Sequence, residues 1–392
     1  MSNPNSETLW NKSFILCLAN NLFLFIFYFA HTTILPIYIV NDLGGSLSQA
    51  GLAMTLFMAS AIAVRPFSAL IIEKIGTKKA LYISESMFCL LCLTYIFADN
   101  LTLLMIIRFL HGIWFSILTT VNVPIVNAFI PEKRKGEGMG YFLVSVNLGI
   151  VLGPLIGLTL IQHTSFTHIS TLLLGCVVLG FIFCFLIPLQ NNAKESSEQS
   201  QKKLSIQDFI EFKALPVAVM AMMISFCYAS IMSFISTFAE SKHLLSYAGL
   251  FFAVFAISMM SLRPFTGRLY DRKGPSYVVY PALILFSIGL LVLSQIDSVI
   301  GFMCAAFFIG IGFGSAQPCL QTISIQRSPK HRIGHATSTY FTFYDLGIAI
   351  GSMVLGLIIS GYGYSTAYIC CAVLVCISLI YYHFVVSQQK TA

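Results

Sequence analysis

Five charged side chains lie within long apolar stretches of the sequence: Arg65, Glu85, Arg108, Arg263 and Asp345. A charge at the centre of a membrane-spanning helix costs at least about 2.5 kcal/mol, so such residues usually pair with each other or serve a function. The chemistry open to them is proton exchange, ion pairing and recognition of a charged cargo. We therefore treat these positions as the first candidates for function.

Asp345 is the first candidate for proton coupling. It lies about ten residues into an apolar stretch, which is about 15 Å at 1.5 Å per residue and near the middle of a membrane. The residue 198 positions earlier is Asn147, which is polar but does not titrate. The alternative is a structural ion pair with Arg65, which we expect about one turn nearer the cytoplasm. Glu85 lies at a depth similar to that of Arg65, so a salt bridge between them is favoured, with proton coupling by Glu85 as the second possibility.

Arg108 has no charged counterpart in the second half of the chain, because Ala306 stands 198 residues later. This asymmetry argues against a purely architectural role. His31 is expected at a comparable depth and can titrate near neutral pH, so it is a candidate to share proton coupling with Arg108. The alternative for His31 is a packing residue. Two cations at this depth favour an anionic or zwitterionic cargo.

The cargo site is expected near the middle of the membrane. Its lining should come from the predicted helices 1, 4, 7 and 10, at 13–40, 101–130, 214–239 and 299–323, with a contribution from helices 5 and 11, at 139–162 and 333–360. Aromatic rings and amides at this depth would hold a drug-like or metallophore-like molecule. The candidates are Tyr28, Trp114, Asn122, Asn147, Tyr228, Gln317, Tyr340 and Tyr344.

The composition requires a membrane environment for these residues. Hydrophobic residues make up 57% of the 392 residues and charged residues 9%, against about 25% charged in a typical soluble protein. The net charge of +7 arises from Lys and Arg in short loops, so it does not indicate nucleic-acid binding. Cys89 and Cys92 form a C-x-x-C motif inside an apolar stretch, where packing is favoured over a metal or redox role.

Twelve stretches of roughly 20 or more apolar residues are each long enough to cross a bilayer as a helix. Between the sixth and seventh, residues 190–213 are rich in Ser, Gln, Lys and Glu, which predicts a linker with a short amphipathic surface helix at 206–212. The sequence thus predicts an all-α membrane protein. The predicted spans are 13–40, 47–72, 79–97, 101–130, 139–162, 168–189, 214–239, 245–270, 275–294, 299–323, 333–360 and 365–386.

An internal repeat relates the two halves. Arg-Pro-Phe at 65–67 recurs at 263–265, an offset of 198 residues (263 − 65), and the same offset joins several other Gly, Pro and Arg positions. Two copies of one unit in a membrane chain point to a transporter with its site between them. The predicted domains are a six-helix half at 1–189, the linker at 190–213 and a second six-helix half at 214–392.

The basic residues predict the orientation in the membrane. Of the 22 Lys and Arg residues, 18 fall at the two termini or in and beside the loops after predicted helices 2, 4, 6, 8 and 10, and Lys242 alone falls in a loop on the other side. Loops rich in Lys and Arg stay in the cytoplasm. Both termini are therefore expected to be cytoplasmic.

The loop motifs identify a family resemblance. Residues 267–274, Gly-Arg-Leu-Tyr-Asp-Arg-Lys-Gly, resemble the signature loop of the major facilitator superfamily between its helices 8 and 9. The copy in the first half is degenerate, with Ala69 in place of the first Gly and Glu73 in place of the Asp. The resemblance implies twelve helices in two pseudo-symmetric halves.

Two further motifs resemble those of the 12-helix drug/proton antiporter family within this superfamily. Residues 149–157 are similar to its antiporter motif in helix 5, although Leu158 replaces the usual final Gly. Residues 108–112 are similar to its Arg motif in helix 4, with His111 in place of the usual Gln. The resemblance implies export rather than uptake, and a part in proton transfer for Arg108.

The loops and helix 5 are also predicted to gate transport. The acid, the basic residues and the glycines of each loop can form a contact that holds the halves together in one state and breaks in the other, which we call the loop latch. The alternative is that these charges only fix topology. In helix 5, glycines at i, i+4 and i+8 make a smooth face for a close helix partner, and a proline can bend the helix. The gating candidates are Arg65, Glu73, Gly76, Arg263, Gly267, Asp271, Arg272, Gly274, Gly149, Gly153, Pro154 and Gly157.

The sequence therefore predicts a proton-coupled secondary transporter of the cell membrane that exports a small organic compound by alternating access. The first alternative is a proton-coupled uptake porter for a sugar or organic acid, and a more remote one is a membrane sensor without transport. Its expected partners are the small-molecule substrate, protons and the lipid bilayer. We expect a monomer that has no cofactor, binds no metal or nucleic acid, and is not an enzyme.

Overall fold

The computed structural model describes residues 8–131, 135–189, 210–329 and 333–387. These residues form α-helices joined by short loops and single helical turns, without a β-strand. The helices are α1 Lys12–Asn41, α2 Leu47–Ile75, α3 Thr77–Thr94, α4 Leu101–Ala128, α5 Lys135–Leu160, α6 Phe166–Leu186, α7 Leu215–Ser241, α8 Ala248–Ser261, α9 Arg263–Lys273, α10 Ser276–Ser294, α11 Val299–Gln326 and α12 Ile333–Tyr381.

The described residues contain ten candidate membrane spans that are long and apolar enough to cross a bilayer, and α5 adds a shorter apolar stretch, Val144–Leu160. The predicted all-helical membrane fold is therefore confirmed. Predicted spans 11 and 12 both lie in α12, which leaves helical geometry at Gly363 with φ 83°. The count of twelve crossings stays a prediction.

Predicted span 8 divides into two helices. α8 ends at Ser261 and α9 begins at Arg263, with Pro264 in the first turn of α9. Proline has no N–H to donate, so it is tolerated in the first turn of a helix, where Pro264 lies. In the first half α2 continues without a break past the equivalent proline at position 66.

The predicted surface helix at 206–212 is not seen in the part that the structure describes. Residues 206–209 lie outside the described residues, and residues 210–212 are not helical. Glu211 is buried, and its backbone N–H donates to Thr339 Oγ1 at 2.9 Å. This contact anchors the end of the linker to α12, so the segment packs as part of the fold.

The chain forms two compact units. The first comprises Met1–Tyr38 and Ala59–Lys202, and the second comprises Ile39–Met58 and Lys203–Ala392. The first half of α2 thus packs with the second unit: Thr55 Oγ1 donates to the backbone oxygen of Ala349 at 2.8 Å. The predicted domain boundaries at 189 and 214, and the arrangement in two halves, stay predictions.

In the first unit, α5 packs closely on α1 through its glycines. A Cβ atom on Gly153 would lie 2.8 Å from the backbone nitrogen of Ala30, and one on Gly149 would lie 2.6 Å from Phe25 Cβ. Only a glycine allows the two backbones to approach this closely. Predicted helix 5 therefore has its close partner, and that partner is α1.

In the second unit, α12 packs on α7 in the same way. A Cβ atom on Gly347 would overlap the backbone oxygen of Met222, and one on Gly351 would lie 2.6 Å from that of Phe226. Gly347 and Gly351 follow Gly149 and Gly153 by 198 residues. The repeated glycines thus bring one helix against another within each unit.

The two loop motifs end their helices with the same geometry. Gly76 has φ 85° and Gly274 has φ 91°, a region that side chains other than glycine rarely adopt. The N–H groups of Gly76 and Gly274 donate to the backbone oxygens of Ile72 and Tyr270, each at 2.9 Å. Both glycines are therefore needed for the turn itself.

Candidate functional site

A cationic side chain is enclosed in the first unit. Arg108 on α4 has only 2% of its surface exposed, and its Nη1 donates to the Tyr95 hydroxyl over a long 3.5 Å. His111, one turn further along α4, places Nδ1 3.1 Å from the same hydroxyl oxygen. Tyr95 can accept a hydrogen bond from Arg108 while it donates its own proton to His111. We call Arg108, Tyr95, His111 and His31 the cationic cluster.

His31 on α1 completes this cluster. Its ring is stacked on Phe27 at 4.0 Å and lies 4.8 Å from the ring of Tyr95. Its Nε2 lies 3.2 Å from Ser170 Oγ on α6, and its Nδ1 lies 3.2 Å from the backbone oxygen of Phe27. The structure thus brings both His31 and Arg108, predicted at a similar depth, against one tyrosine.

Tyr95 and His111 are the residues of this cluster that the sequence analysis did not select. Tyr95 begins a single helical turn at the end of α3, where it is 1% exposed. His111 had been noted only as a replacement within a motif, although its spacing of three residues from Arg108 places both on one face of a helix. That spacing was the signal that could have found it.

Glu85 on α3 has partners other than the predicted Arg65. Its Oε1 accepts hydrogen bonds from Asn20 Nδ2 at 2.7 Å and from Cys184 Sγ at 3.6 Å. Among the described residues, no cation pairs with it, so the predicted Glu85–Arg65 salt bridge is wrong. The reason is the helical period, which turns Glu85 toward α1 and α6 on the same face of α3 as Phe88 and Cys92.

A glycine allows Asn20 to reach this acid. A Cβ atom on Gly180 of α6 would lie 2.6 Å from Asn20 Oδ1. The absence of a side chain at Gly180 therefore makes room for the amide between α1 and α6. Asn20 and Glu85 are 5% and 1% exposed, so the pair is fully enclosed in the unit.

Arg65 and Asp345 lie in different units, and their pairing stays a prediction. Arg65 is half-buried on α2, and Asp345 is half-buried on α12. Asp345 is the thirteenth residue of α12 and precedes the break at Gly363 by 18 residues. It therefore lies near the middle of the first part of this helix, as the sequence predicted.

The cargo candidates of the first unit have different surroundings. Tyr28 is 7% exposed and stacks on Phe115 with ring centres 4.8 Å apart. Trp114 is half-buried, and Asn147 is 7% exposed. Asn122 borders a small cavity enclosed by helices of this unit. None of these contacts tests a role in cargo binding, which stays a prediction for all four.

In the second unit, Tyr228 and Tyr344 share an aromatic cluster. Tyr228 stacks on Phe313 at 3.9 Å with the rings 11° from parallel, and Tyr344 lies 6.5 Å from the same ring. Tyr340 is fully buried, and its hydroxyl donates to the backbone oxygen of Gln317 at 2.8 Å. Tyr340 is thus a core residue in this structure, while Tyr344 and Gln317 are half-buried.

The structure describes only part of the gating set. The predictions for the side chains of Glu73, Arg263 and Asp271 lie outside what it describes. A Cβ atom on Gly267 would meet nothing within 4 Å, so the predicted close packing at Gly267 is not present here. α5 continues through Pro154 as one helix. Arg272 is exposed, and the loop latch stays a prediction.

The C-x-x-C motif contributes a thiol to the cationic cluster. Cys92 Sγ lies 3.9 Å from His111 Nε2, while Cys89 is half-buried. Among the described residues, no group of three or more His, Cys, Asp or Glu side chains is placed to hold a metal ion.

Known proteins resemble this chain over most of its length. The multidrug resistance protein MdtG of Klebsiella pneumoniae is 23% identical over 88% of this chain and 87% of its own. The staphylopine export protein of Staphylococcus aureus is 21% identical over 90% of this chain and 92% of its own.

Solved structures show the same fold. The nucleoside transporter NupG superposes with a TM-score of 0.77, covering 96% of this chain and 99% of its own at 11% identity. A POT family transporter in complex with a thioalcohol-conjugated peptide gives a TM-score of 0.77, with 96% of each chain covered at 16% identity. At these identities the likeness concerns the fold alone.

The family model of the Major Facilitator Superfamily matches residues 17–352. Together with the ten apolar spans, this match makes the protein an integral membrane protein. The family match, with relatives named for multidrug resistance and for staphylopine export, makes the protein a transporter and not an enzyme. The chain belongs to the major facilitator superfamily.

Proposed function

We propose that this protein exports a small organic compound across the cell membrane in exchange for protons, by alternating access. The observation that carries the proposal is the burial of the charged residues Glu85 and Arg108, 1% and 2% exposed, inside the helices of the first unit. Charged groups inside a membrane protein are costly and mark ion and proton pathways. The proposal keeps Asp345, Arg108, His31 and Glu85 as the proton-coupling residues.

The direction of transport rests on the relatives and on the helix 5 motif. MdtG is named for multidrug resistance, and the staphylopine export protein for export. A cargo that is amphiphilic, drug-like or similar to a metallophore fits the tyrosines and amides of the predicted cargo site. The cationic cluster would favour a cargo with a negative group.

The proposed topology has twelve crossings. Dividing α12 at Gly363, and counting α5 and the joined α8 and α9 as one crossing each, gives six crossings before the linker and six after it. Both termini then lie on the side of the basic loops, which is the cytoplasm. The positions related by 198 residues support two equivalent halves.

The test is substrate flux in vesicles of known sidedness with an imposed proton gradient, measured over a panel of drug-like, metallophore-like, sugar and organic-acid compounds. Cargo that moves against the direction of the protons supports the antiport proposal. Cargo that moves with the protons supports the uptake alternative. Flux that is indifferent to the gradient, for a compound that is transported, refutes proton coupling altogether.

A further inference from the structure

A small cavity lies near one end of the first unit. Its lining includes Cys17 and Asn20 of α1, Leu81 of α3, Asn122 of α4 and Cys184 of α6. Leu81 is four residues from the start of α3 and Asn122 six residues from the end of α4. At 1.5 Å per residue, the cavity is about 6–9 Å from the helix ends that carry the basic loops. We call this the basic end of the unit.

Two of the residues that line the cavity also hold Glu85. Asn20 Nδ2 and Cys184 Sγ donate to the same carboxylate oxygen, Oε1, at 2.7 and 3.6 Å. Glu85 is four residues beyond Leu81 on α3, one helical turn deeper into the unit. The cavity therefore lies between this buried acid and the basic end.

The cavity wall offers a polar atom without a hydrogen-bond partner in the described part of the chain. Asn122 is 7% exposed, and among the described residues its Nδ2 has no hydrogen-bond partner. A buried amide nitrogen of this kind is normally satisfied, either by protein or by ordered water. Small cavities that border several polar groups are the places where such water binds.

The deeper side of Glu85 is closed. Phe88, one turn further along the same face of α3, is fully buried and lies 4.2 Å from the ring of His111. Phe88 thus places an apolar ring one turn beyond Glu85, whereas the amides of Asn20 and Asn122 line the cavity toward the basic end.

We propose that Glu85 exchanges its proton with solvent at the basic end of the first unit through this cavity, along water held by Asn122 and Asn20. The proposal rests on the proton coupling proposed above and gives it a route from the basic end, in which the cargo candidate Asn122 holds water. In the step itself, an O–H bond of hydronium breaks and an O–H bond forms on a Glu85 oxygen, which leaves water. The carboxylate is neutralised, and no other group changes its bonds.

The surroundings of Glu85 allow this exchange without the loss of an ion pair. The titratable groups that interact with Glu85 electrostatically or by a hydrogen bond include the thiols of Cys89 and Cys92 on its own helix and of Cys184 on α6, and the thiol of Cys17 on α1 lines the cavity. α1 presents the amide of Asn20, and α4 presents that of Asn122 across the cavity. Within the described part of the chain, no Lys, Arg or His has to release the carboxylate before it is protonated.

The exchange is tested by infrared difference spectroscopy on the full-length protein in lipid, without cargo. Lowering the pH should produce a protonated-carboxyl band that Glu85→Gln removes and that Ser86→Ala, an exposed neighbour, retains. Glu85→Leu serves as a second variant if the glutamine variant is not recovered folded. An unchanged carboxyl spectrum in a folded Glu85 variant overturns the proposal.

The route is tested by the rate at which this band responds to a rapid change of pH. Asn122→Leu fills the cavity with an apolar side chain, so the response should slow severalfold, while the exposed Val123→Leu keeps the original rate. Equal rates in these two variants overturn the route through Asn122. If the Glu85 carboxyl band is present but cargo flux does not depend on the proton gradient, the proposed function is refuted and the exchange is not. If cargo flux is driven by protons but no carboxyl band is assigned to Glu85, the exchange is refuted and the proposed function is not.

Discussion

The close contact between α1 and α5 predicts that a single methyl group at Gly153 destabilises the first unit. In Gly153→Ala the new Cβ would lie 2.8 Å from the backbone nitrogen of Ala30, 2.8 Å from Phe29 Cβ and 2.9 Å from the backbone oxygen of Ile26. Optimal separations between carbon atoms are about 3.5–4.0 Å. Two of the three atoms belong to the backbone of α1, so α5 must move away by a large part of an ångström.

The loss of stability in Gly153→Ala can be sized by comparison with the same substitution at a glycine that has no close neighbour. Overpacking of a filled core costs about 1–3 kcal/mol. Alanine in place of glycine gains up to about 1 kcal/mol in helix propensity. Gly175 lies within α6, where an added methyl group would meet nothing within 4 Å, so Gly175→Ala shows the propensity gain alone. The free energy of unfolding of Gly153→Ala should therefore fall about 1–3 kcal/mol below that of Gly175→Ala.

Thermal unfolding in lipid or mild detergent, followed with a thiol-reactive fluorescent dye, measures this difference. Cys17, Cys92 and Cys184 are buried and free in the first unit, so unfolding exposes them to the dye. Gly157→Ala should fall between the two variants, because its nearest contact is the side-chain atom Ile34 Cγ2 at 2.9 Å. If Gly153→Ala unfolds at the same temperature as Gly175→Ala, the close packing of α5 on α1 is wrong.

Three substitutions test the proposed coupling and gating. Asp345→Asn should abolish gradient-driven accumulation while cargo binding survives, since the amide cannot carry a proton; a loss of stability of about 3–5 kcal/mol instead would indicate a buried ion pair. Arg108→Gln should remove proton-driven flux because the charge beside Tyr95 is lost, and flux equal to that of the original protein in vesicles would exclude a coupling role. Asp271→Asn should slow transport at normal protein yield, because it removes a charge of the loop latch. An unchanged rate would favour the alternative that the loop charges only fix the topology.

The helices could be predicted because they depend on the chain alone. A run of apolar residues long enough to cross a bilayer must satisfy its own backbone hydrogen bonds, which makes it a helix wherever it lies. α4, predicted at 101–130, is Leu101–Ala128, and α11, predicted at 299–323, is Val299–Gln326. The interruption at Leu262 was not predicted, and Pro264 alone does not indicate it, because α2 continues past the equivalent proline.

The partners of the buried polar groups could not be predicted in the same way. Depth along a helix placed Glu85 level with Arg65, but contact depends on which faces of two helices meet. The helical period determines the face of α3 on which Glu85 lies, and only the packed structure shows that Asn20 and Cys184 face it. Tyr95 was missed for a related reason, since it is one of 17 tyrosines and only its position beside Arg108 distinguishes it.

The second unit indicates that buried polar side chains at the positions of Glu85 and the cationic cluster are not needed to form a helical bundle. α4 and α11 begin 198 residues apart and end 198 residues apart, so their positions can be compared directly. The positions equivalent to Glu85, Phe88, Cys92, Tyr95, Arg108 and His111 are Leu283, Phe286, Leu290, Leu293, Ala306 and Ile309.

All six of these residues in the second unit are fully buried. The phenylalanine is shared, and each of the other five positions has an apolar residue in the second unit. Apolar side chains can therefore fill the core at these positions. They avoid the desolvation cost that a buried charge carries. The charges of the first unit are thus better explained by function than by folding, which supports Glu85 and the cationic cluster as the part of the first unit in the proposed proton chemistry, beside Asp345 in the second unit.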